Sequence, residues 1–133
     1  MANTESRLGL LELPFTGTDL YTLRSAVAAH VAEVADQPTT ETAVLIAHEL
    51  CSNAVRHGGG SGRLRIWLSG VDLHLEVSDS GFGLARPDEA GRTLPPLSVP
   101  GGRGLWIARR MSRVQIVTGG TGTIVTAVVQ LCG

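Results

Sequence analysis

The placement of glycine constrains this chain more than anything else in it. Glycine occupies 17 of 133 positions, about 13% against a usual ~7%. It falls in four clusters: Gly58 to Gly62, Gly81 and Gly83, Gly101 to Gly104, and Gly119 to Gly122. Each cluster lies between segments with clear hydrophobic periodicity, so the glycines punctuate a folded chain and do not form a flexible linker. The length of 133 residues suits one compact domain with a core and is too short for two. Residues 1–133 are therefore expected to form a single domain. With 43% hydrophobic and 17% charged residues, enough apolar surface can be buried to offset the ordering entropy.

Between the glycines, periodicity assigns the elements. Leu8 to Phe15 reads as a short apolar strand, after which Thr16 or Thr18 can cap a helix running to about Ala35. Asp36-Gln37-Pro38 breaks that helix, and Thr39 or Thr40 can cap a second one that continues to about His57. Arg63 to Ser69 and Val71 to Ser78 alternate around Gly70 and predict a hairpin. Residues 84–100 hold Pro87, Pro95, Pro96 and Pro100 without periodicity, a long irregular loop of the kind that serves as a functional lid. A third helix from Gly104 to about Met111 precedes a second hairpin, Val114 to Thr118 and Thr123 to Leu131, and Trp106 and Met111 are expected in the core. The order β-α-α-β-β-loop-α-β-β predicts an α+β fold, a two-layer α/β sandwich with helices on one face of a mixed, mostly antiparallel sheet.

Composition removes several function classes. All 11 basic residues are arginine, which excludes a P-loop lysine, a Schiff-base amine or a kinase strand lysine. A net charge of -1 gives no overall footprint for direct nucleic-acid binding, although Arg103, Arg109, Arg110 and Arg113 crowd one segment. Cys51 and Cys132 lack metal-ligand or CxxC spacing, which favours a reduced, cytoplasmic chain. No apolar run approaches the ~20 residues that span a bilayer, so no membrane association is expected.

Three motifs carry candidate chemistry. At ~100° per residue along the second helix, Ala43, Ala47, Leu50, Cys51, Ala54 and Val55 form an apolar sector with Ser52 and Arg56 opposite. Glu49 and Asn53 fall at its boundary as i,i+4 neighbours, where a carboxylate and an amide would project together into a cleft. A solvated polar pair has the same spacing. Asp79-Ser80-Gly81-Phe82-Gly83 follows a strand end. There a carboxylate could accept from an exocyclic amine while glycines bring the backbone close to a flat ring, though Asp-Ser-Gly is also ordinary turn chemistry. Gly101-Gly102-Arg103-Gly104 opens directly into Leu105-Trp106. Glycine N–H groups and a helix N-terminus then form an anion cradle, with the Arg103 fork suited to a terminal phosphate; a flexible hinge is the competing reading. His48-Glu49-Leu50-Cys51-Ser52 begins like a zinc-protease helix but has Ser52 where the second histidine is required. His57 reads as a helix C-terminal residue that complements the dipole.

Taken in order and spacing, Glu49-x-x-x-Asn53, Asp79-x-Gly81-x-Gly83 and Gly102-x-Gly104 resemble the N, G1 and G2 boxes of the GHKL (Bergerat) ATP-binding fold. Within it, Glu-Leu-Cys-Ser-Asn-Ala-Val-Arg-His-Gly (49–58) and Gly-Gly-Arg-Gly-Leu-Trp (101–106) look like the anti-sigma-factor serine/threonine kinases and their actinobacterial regulatory relatives. The resemblance covers about residues 10–131. It implies ATP or ADP held with Mg²⁺ between the helices and a lid at 84–100. Asn53 would hold the metal through its amide oxygen, Asp79 would bind the adenine amino group, and Glu49 would be the general base for phosphoryl transfer to a serine or threonine hydroxyl. Gly101, Gly102, Arg103, Gly104 and Leu105 would wrap the phosphates, Gly81 and Gly83 would shape the base site, and Thr123 matches a threonine often found near the adenine. The implied partners are a small antagonist protein and a sigma factor, with homodimerisation through the N-terminal strand. A nucleotide-dependent binding regulator without phosphotransfer uses the same binding residues and is the alternative. A histidine kinase is not expected, because 133 residues leave no room for a dimerisation hairpin with its phospho-accepting histidine.

Overall fold

Alternation of apolar and polar residues builds the central hairpin in the computed structural model, which describes residues 7–81, 91–92 and 103–131. β1 (Arg7–Thr16), β2 (Ser61–Ser69) and β3 (Asp72–Asp79) follow in space as in sequence. Leu64 pairs with Val77 and Ile66 with Leu75, all four buried. One residue along, Arg65 and Glu76 face the other side and bridge at 3.2 Å. Gly70, at φ +63, makes the turn, a left-handed conformation that a Cβ disfavours.

The second hairpin is β4 (Arg113–Gly119) and β5 (Gly122–Gln130), and it is β5 that joins β3, giving the order β1-β2-β3-β5-β4. Every described pairing is antiparallel, so the parallel contribution implied by a mixed sheet is absent among the described residues. The topology explains this. A pair of helices between β1 and β2 returns the chain to the end it left. β3 and β4, which are separated by one helix, do run the same way but are held apart by β5.

α1 (Leu20–Val31), α2 (Gln37–His57) and α3 (Arg103–Met111) complete the fold. α2 packs against α1 and α3 at its sides and against β2, β3 and β5 beneath it, which makes the two-layer sandwich. α1 stops short of Ala35, where Val34 and Ala35 both donate to the Val31 carbonyl at 3.0 Å in a closing turn. α2 begins before the expected Thr39 or Thr40 cap. Asp36 caps it instead, its carboxylate accepting from the Thr39 N–H at 2.9 Å. Pro38 sits in the first turn, where a missing N–H costs nothing. The Thr39 hydroxyl and N–H hold the Asp36 carboxyl below the usual carboxylate range. A lowered folded value contributes stability above the unfolded value and loses it as pH falls through the folded one. Asp36→Ala is therefore expected to lower the melting temperature at neutral pH, with the difference from the parent closing below the carboxylate range in a thermal melt series. An equal gap at pH 2 and pH 7 would remove the cap from the account.

The core side of α2 carries Ala43, Ala47, Leu50, Cys51 and Ala54 as expected, together with Ile46, which is fully buried and was absent from the expected sector; Val55 is half-buried at the margin. Small residues let the helix lie close to the sheet. Burial pushes the Cys51 thiol pKa well above its ordinary value, so it packs as an inert small hydrophobe. Two expected core residues of α3 lie elsewhere. Its inward stripe is Leu105 and Ala108; Met111 is 38% exposed, and Trp106 is half-buried with the Arg110 guanidinium 5.2 Å from its ring centre. Among the described residues no helix is long and apolar enough to cross a membrane.

Candidate functional site

Each of the four glycine clusters has a described member against Asp79 or Glu49. Asp79 ends β3, half-buried, with its Oδ1 accepting from the Gly81 N–H at 2.9 Å. A side chain at Gly58 would run into its carboxylate, and one at Gly122, which has φ +142, would run into its carbonyl. A Cβ on Gly81 would lie 2.6 Å from the Gly58 Cα, so the end of α2 and the turn after β3 touch backbone to backbone beside Asp79. At the fourth cluster, a Cβ on Gly104 would lie 3.1 Å from Glu49 Oε1. Gly104 therefore lets the N-terminal turn of α3 close onto Glu49.

The sheet register sets the floor of the site. On the helix side, Val77 of β3 pairs with Val125 of β5, which in turn pairs with Ile116 of β4. Two residues on, the same row reads Asp79, Thr123, Thr118. An apolar row thus gives way to a polar one at the end of the sheet. Thr123 is 5% exposed, and its hydroxyl lies 2.9 Å from that of Thr118.

α2 supplies the other wall. Asn53, Leu50, Ala54 and His57 face Val77, Asp79, Thr123 and Val125 across one cleft. The structure so brings together Asn53, Asp79 and Thr123, three residues far apart in sequence. Glu49, one turn back along α2 and half-buried, lies at the α3 end and not among the residues that line this cleft. The Leu105 side chain is buried in the core, which leaves its backbone as the part able to meet a ligand. Gly83, Gly101 and Gly102, the Arg103 side chain, and residues 84–90 and 93–100 of the expected lid lie outside the described residues. Gly91, at φ +76, rests against Leu105.

Two residues of the site escaped the sequence reading. His57 lines the cleft and also an adjoining one with Arg56, Gly59 and Ser80. Its signal was the i,i+4 step from Asn53, which continues the Glu49 and Asn53 stripe. Thr118 could have been found only from the strand register, since no local motif marks it.

The free space between these walls is about 10 Å³, room for roughly one water, so a flat ring with an exocyclic amine would have to part them to enter. Leu50, Ala54, Val77 and Val125 offer apolar faces, a carboxylate and a hydroxyl stand at the sheet end, and the Asn53 amide brings an uncharged oxygen to the same cleft. Among the described residues no group of three His, Cys, Asp or Glu side chains is placed to hold a metal ion. A hard cation bound here would draw on Asn53 and on oxygens of its ligand and of water.

Comparison with known proteins shows the family and the fold. The family model of the histidine kinase-like ATPase domain matches residues 13–129. Among solved structures, the RsbU and RsbW domains of Rv1364c from Mycobacterium tuberculosis superpose with a TM-score of 0.64 at 22% identity, covering 91% of this chain and 32% of that one. The histidine kinase domain of the blue-light activated histidine kinase EL346 from Erythrobacter litoralis gives 0.55 at 23% identity, covering 86% of this chain and 64% of that one. A mycobacterial sensor histidine kinase, MprB, gives 0.55 at 15% identity, with 91% and 98% covered. These identities speak to a shared fold, and the chain spans less than two thirds of the first two structures. No curated protein matches the chain.

Proposed function

The chain belongs to the histidine kinase-like ATPase domain family, and on that premise we propose that it is an ATP-dependent serine/threonine protein kinase of the anti-sigma-factor type. It phosphorylates a small antagonist protein and controls a sigma factor by partner switching. The observation that carries the reading is the convergence of Asn53, Asp79 and Thr123 on one apolar-walled cleft, with Glu49 set apart against the start of α3. Similarity to a structure that contains an RsbW domain supports the same direction.

In this reading the residues divide the work. Asp79 accepts a hydrogen bond from the adenine amine, Leu50, Ala54, Val77 and Val125 cover the ring, and Thr123 meets its edge. Asn53 would hold Mg²⁺ through its amide oxygen. Bound ATP supplies the transferable γ-phosphoryl group. The N–H groups of Gly104 and Leu105 would face the phosphates, where the positive end of α3 favours negative charge, and the resemblance adds Gly101, Gly102 and Arg103 to them. Glu49, held beside that helix end, takes the proton from an incoming serine or threonine hydroxyl.

Incubation with radiolabelled ATP, Mg²⁺ and candidate antagonist proteins tests this. Label on a partner serine or threonine supports the kinase. Tight nucleotide binding with no label on any partner makes the protein a nucleotide-dependent binding regulator instead.

We also propose that the protein is a homodimer through β1, an edge strand of ten residues with Leu8 54% exposed. The bulge between Gly9 and Leu11 and the proline at position 14 interrupt the free edge, so pairing is confined to short stretches of it. Sedimentation at tens of micromolar is expected to give twice the chain mass. A monomer both with and without ADP would remove the dimer.

A further inference from the structure

Two strands, β1 and β4, form the edges of the sheet, and they are unlike. β1 carries a bulge between Gly9 and Leu11, a proline at position 14 and the exposed Glu12–Arg63 ion pair at 2.8 Å. Features of that kind blunt an edge against pairing. β4 has no bulge, no proline and no carboxylate, and its register with β5 runs unbroken from Arg113↔Val128 to Gly119↔Gly122. Among the described residues no strand pairs with its other side, to which alternate residues turn their N–H and C=O groups.

Arginines crowd the start of this edge, and nucleotide binding gives them no task. Arg110, in the last turn of α3, is exposed, lies over the Trp106 ring and has no carboxylate partner among the described residues. Arg113 opens β4 and reaches Asp72 only at 3.7 Å, with its side chain 75% exposed. Arg113, Gln115 and Val117 point to the open face of the sheet, because Val114 and Ile116 between them pair with the buried Ala127 and Val125 of the helix side. An arginine of the helix layer and one of the open face therefore flank the beginning of β4. Four residues along, about 14 Å, Val117 is 58% exposed beside its cross-strand partner Ile124 at 41%. The edge runs from positive to apolar.

We infer that β4 is a docking edge for an extended, acidic segment of a partner protein, separate from the nucleotide cleft. Every described pairing in the sheet is antiparallel, and a strand added in that sense alternates its side chains between the two faces. Two consecutive carboxylates at its C-terminal end meet Arg113 on the open face and Arg110 on the helix side. An apolar side chain four residues earlier covers Val117. Main-chain hydrogen bonds supply the pairing, and the charges fix its direction and register. Nucleic acid suits the edge less well, since the chain has a net charge of -1 and a run of phosphates would meet Val117 and Ile124.

Fluorescence anisotropy of a labelled peptide, Val-Val-Thr-Val-Glu-Asp with blocked ends, titrated with the full chain in the absence of nucleotide tests this. Saturable binding is expected, weakened about 2- to 5-fold by each of Arg110→Ala and Arg113→Ala, as for exposed ion pairs. Arg110→Glu combined with Arg113→Glu is expected to prefer the peptide ending in Lys-Lys, which places the site on this edge. N-methylation separates strand pairing from charge attraction. Peptides methylated on odd or on even residues carry the methyl groups on opposite sides of the strand, so one is expected to lose about 10-fold or more in affinity and the other to bind like the parent. No binding of the parent peptide, equal loss in the two methylated peptides, or no effect of either alanine variant overturns the inference. Displacement of the peptide by a lower concentration of single-stranded oligonucleotide overturns it in favour of a nucleic-acid contact. Self-association beyond a dimer that Val117→Lys abolishes overturns it in favour of a second copy of this chain. Should the doubly reversed variant fail to fold in a thermal melt, the alanine variants and the methylated peptides decide.

Discussion

Glu49→Gln is expected to slow phosphotransfer by about 10² to 10⁴-fold while ADP affinity stays near the parental value. Glutamine matches glutamate in shape, so the contact between residue 49 and the backbone at Gly104, where a Cβ would sit 3.1 Å from the present Oε1, is preserved. What it lacks is a basic oxygen able to take a proton from an attacking hydroxyl. The separation of binding from turnover follows from position. Glu49 lies at the α3 end of the α2 stripe, whereas the cleft that would hold the base is lined by Asn53, His57 and Asp79. Parallel measurement of labelled transfer and of ADP affinity checks it. A variant that transfers at the parental rate leaves Glu49 as a helix-face carboxylate. A variant that loses binding and turnover together makes it a ligand-holding residue and not the base.

Asp79→Asn carries the second large effect. The substitution keeps the side-chain size for which Gly58 leaves room, and an amide oxygen can still accept from the Gly81 N–H, as Oδ1 does at 2.9 Å. The other half of the side chain becomes an NH₂ group, so an adenine amine would meet donor against donor. Loss of a charge-assisted bond of this kind costs about 1.5 to 3 kcal/mol, or roughly 10- to 150-fold in ADP affinity. Calorimetry on the variant, with a thermal melt to show that the fold survives, gives the answer. ADP affinity equal to the parent would take the adenine amine away from Asp79.

The fold was legible where the pattern is local. Strict alternation in Arg63 to Ser69 and around Leu73, Leu75 and Val77 leaves one reading of the hairpin, and the glycine clusters mark its limits. Errors fell where two local signals compete. Asp36 reads along the chain as part of a helix break and Thr39 as a cap, and only the chain's approach to α2 decides that the aspartate caps and the threonine donates. Met111 follows the apolar period of α3 but closes the helix at 38% exposure, because a nine-residue helix with two inward residues has no further core to cover. The site was half legible for a related reason. Asn53 and Asp79 sit in recognisable spacings, but Thr118 joins them only through strand pairing, which no spacing along the chain encodes. The glycines illustrate the difference. Their clustering was visible in sequence, whereas the fact that Gly58 makes room for the Asp79 carboxylate, Gly81 for the Gly58 backbone and Gly122 for the Asp79 carbonyl is a property of three elements brought together.

The central claim is that the cleft between α2 and the β3, β5 end of the sheet takes an adenine nucleotide with Mg²⁺, and direct titration of the full chain with ADP and GDP, with Mg²⁺ and again after its chelation, tests it most simply. The account requires saturable binding of one ADP per chain that GDP does not match and that weakens when Mg²⁺ is removed. Equal affinity for ADP and GDP, or no binding of either, would contradict it.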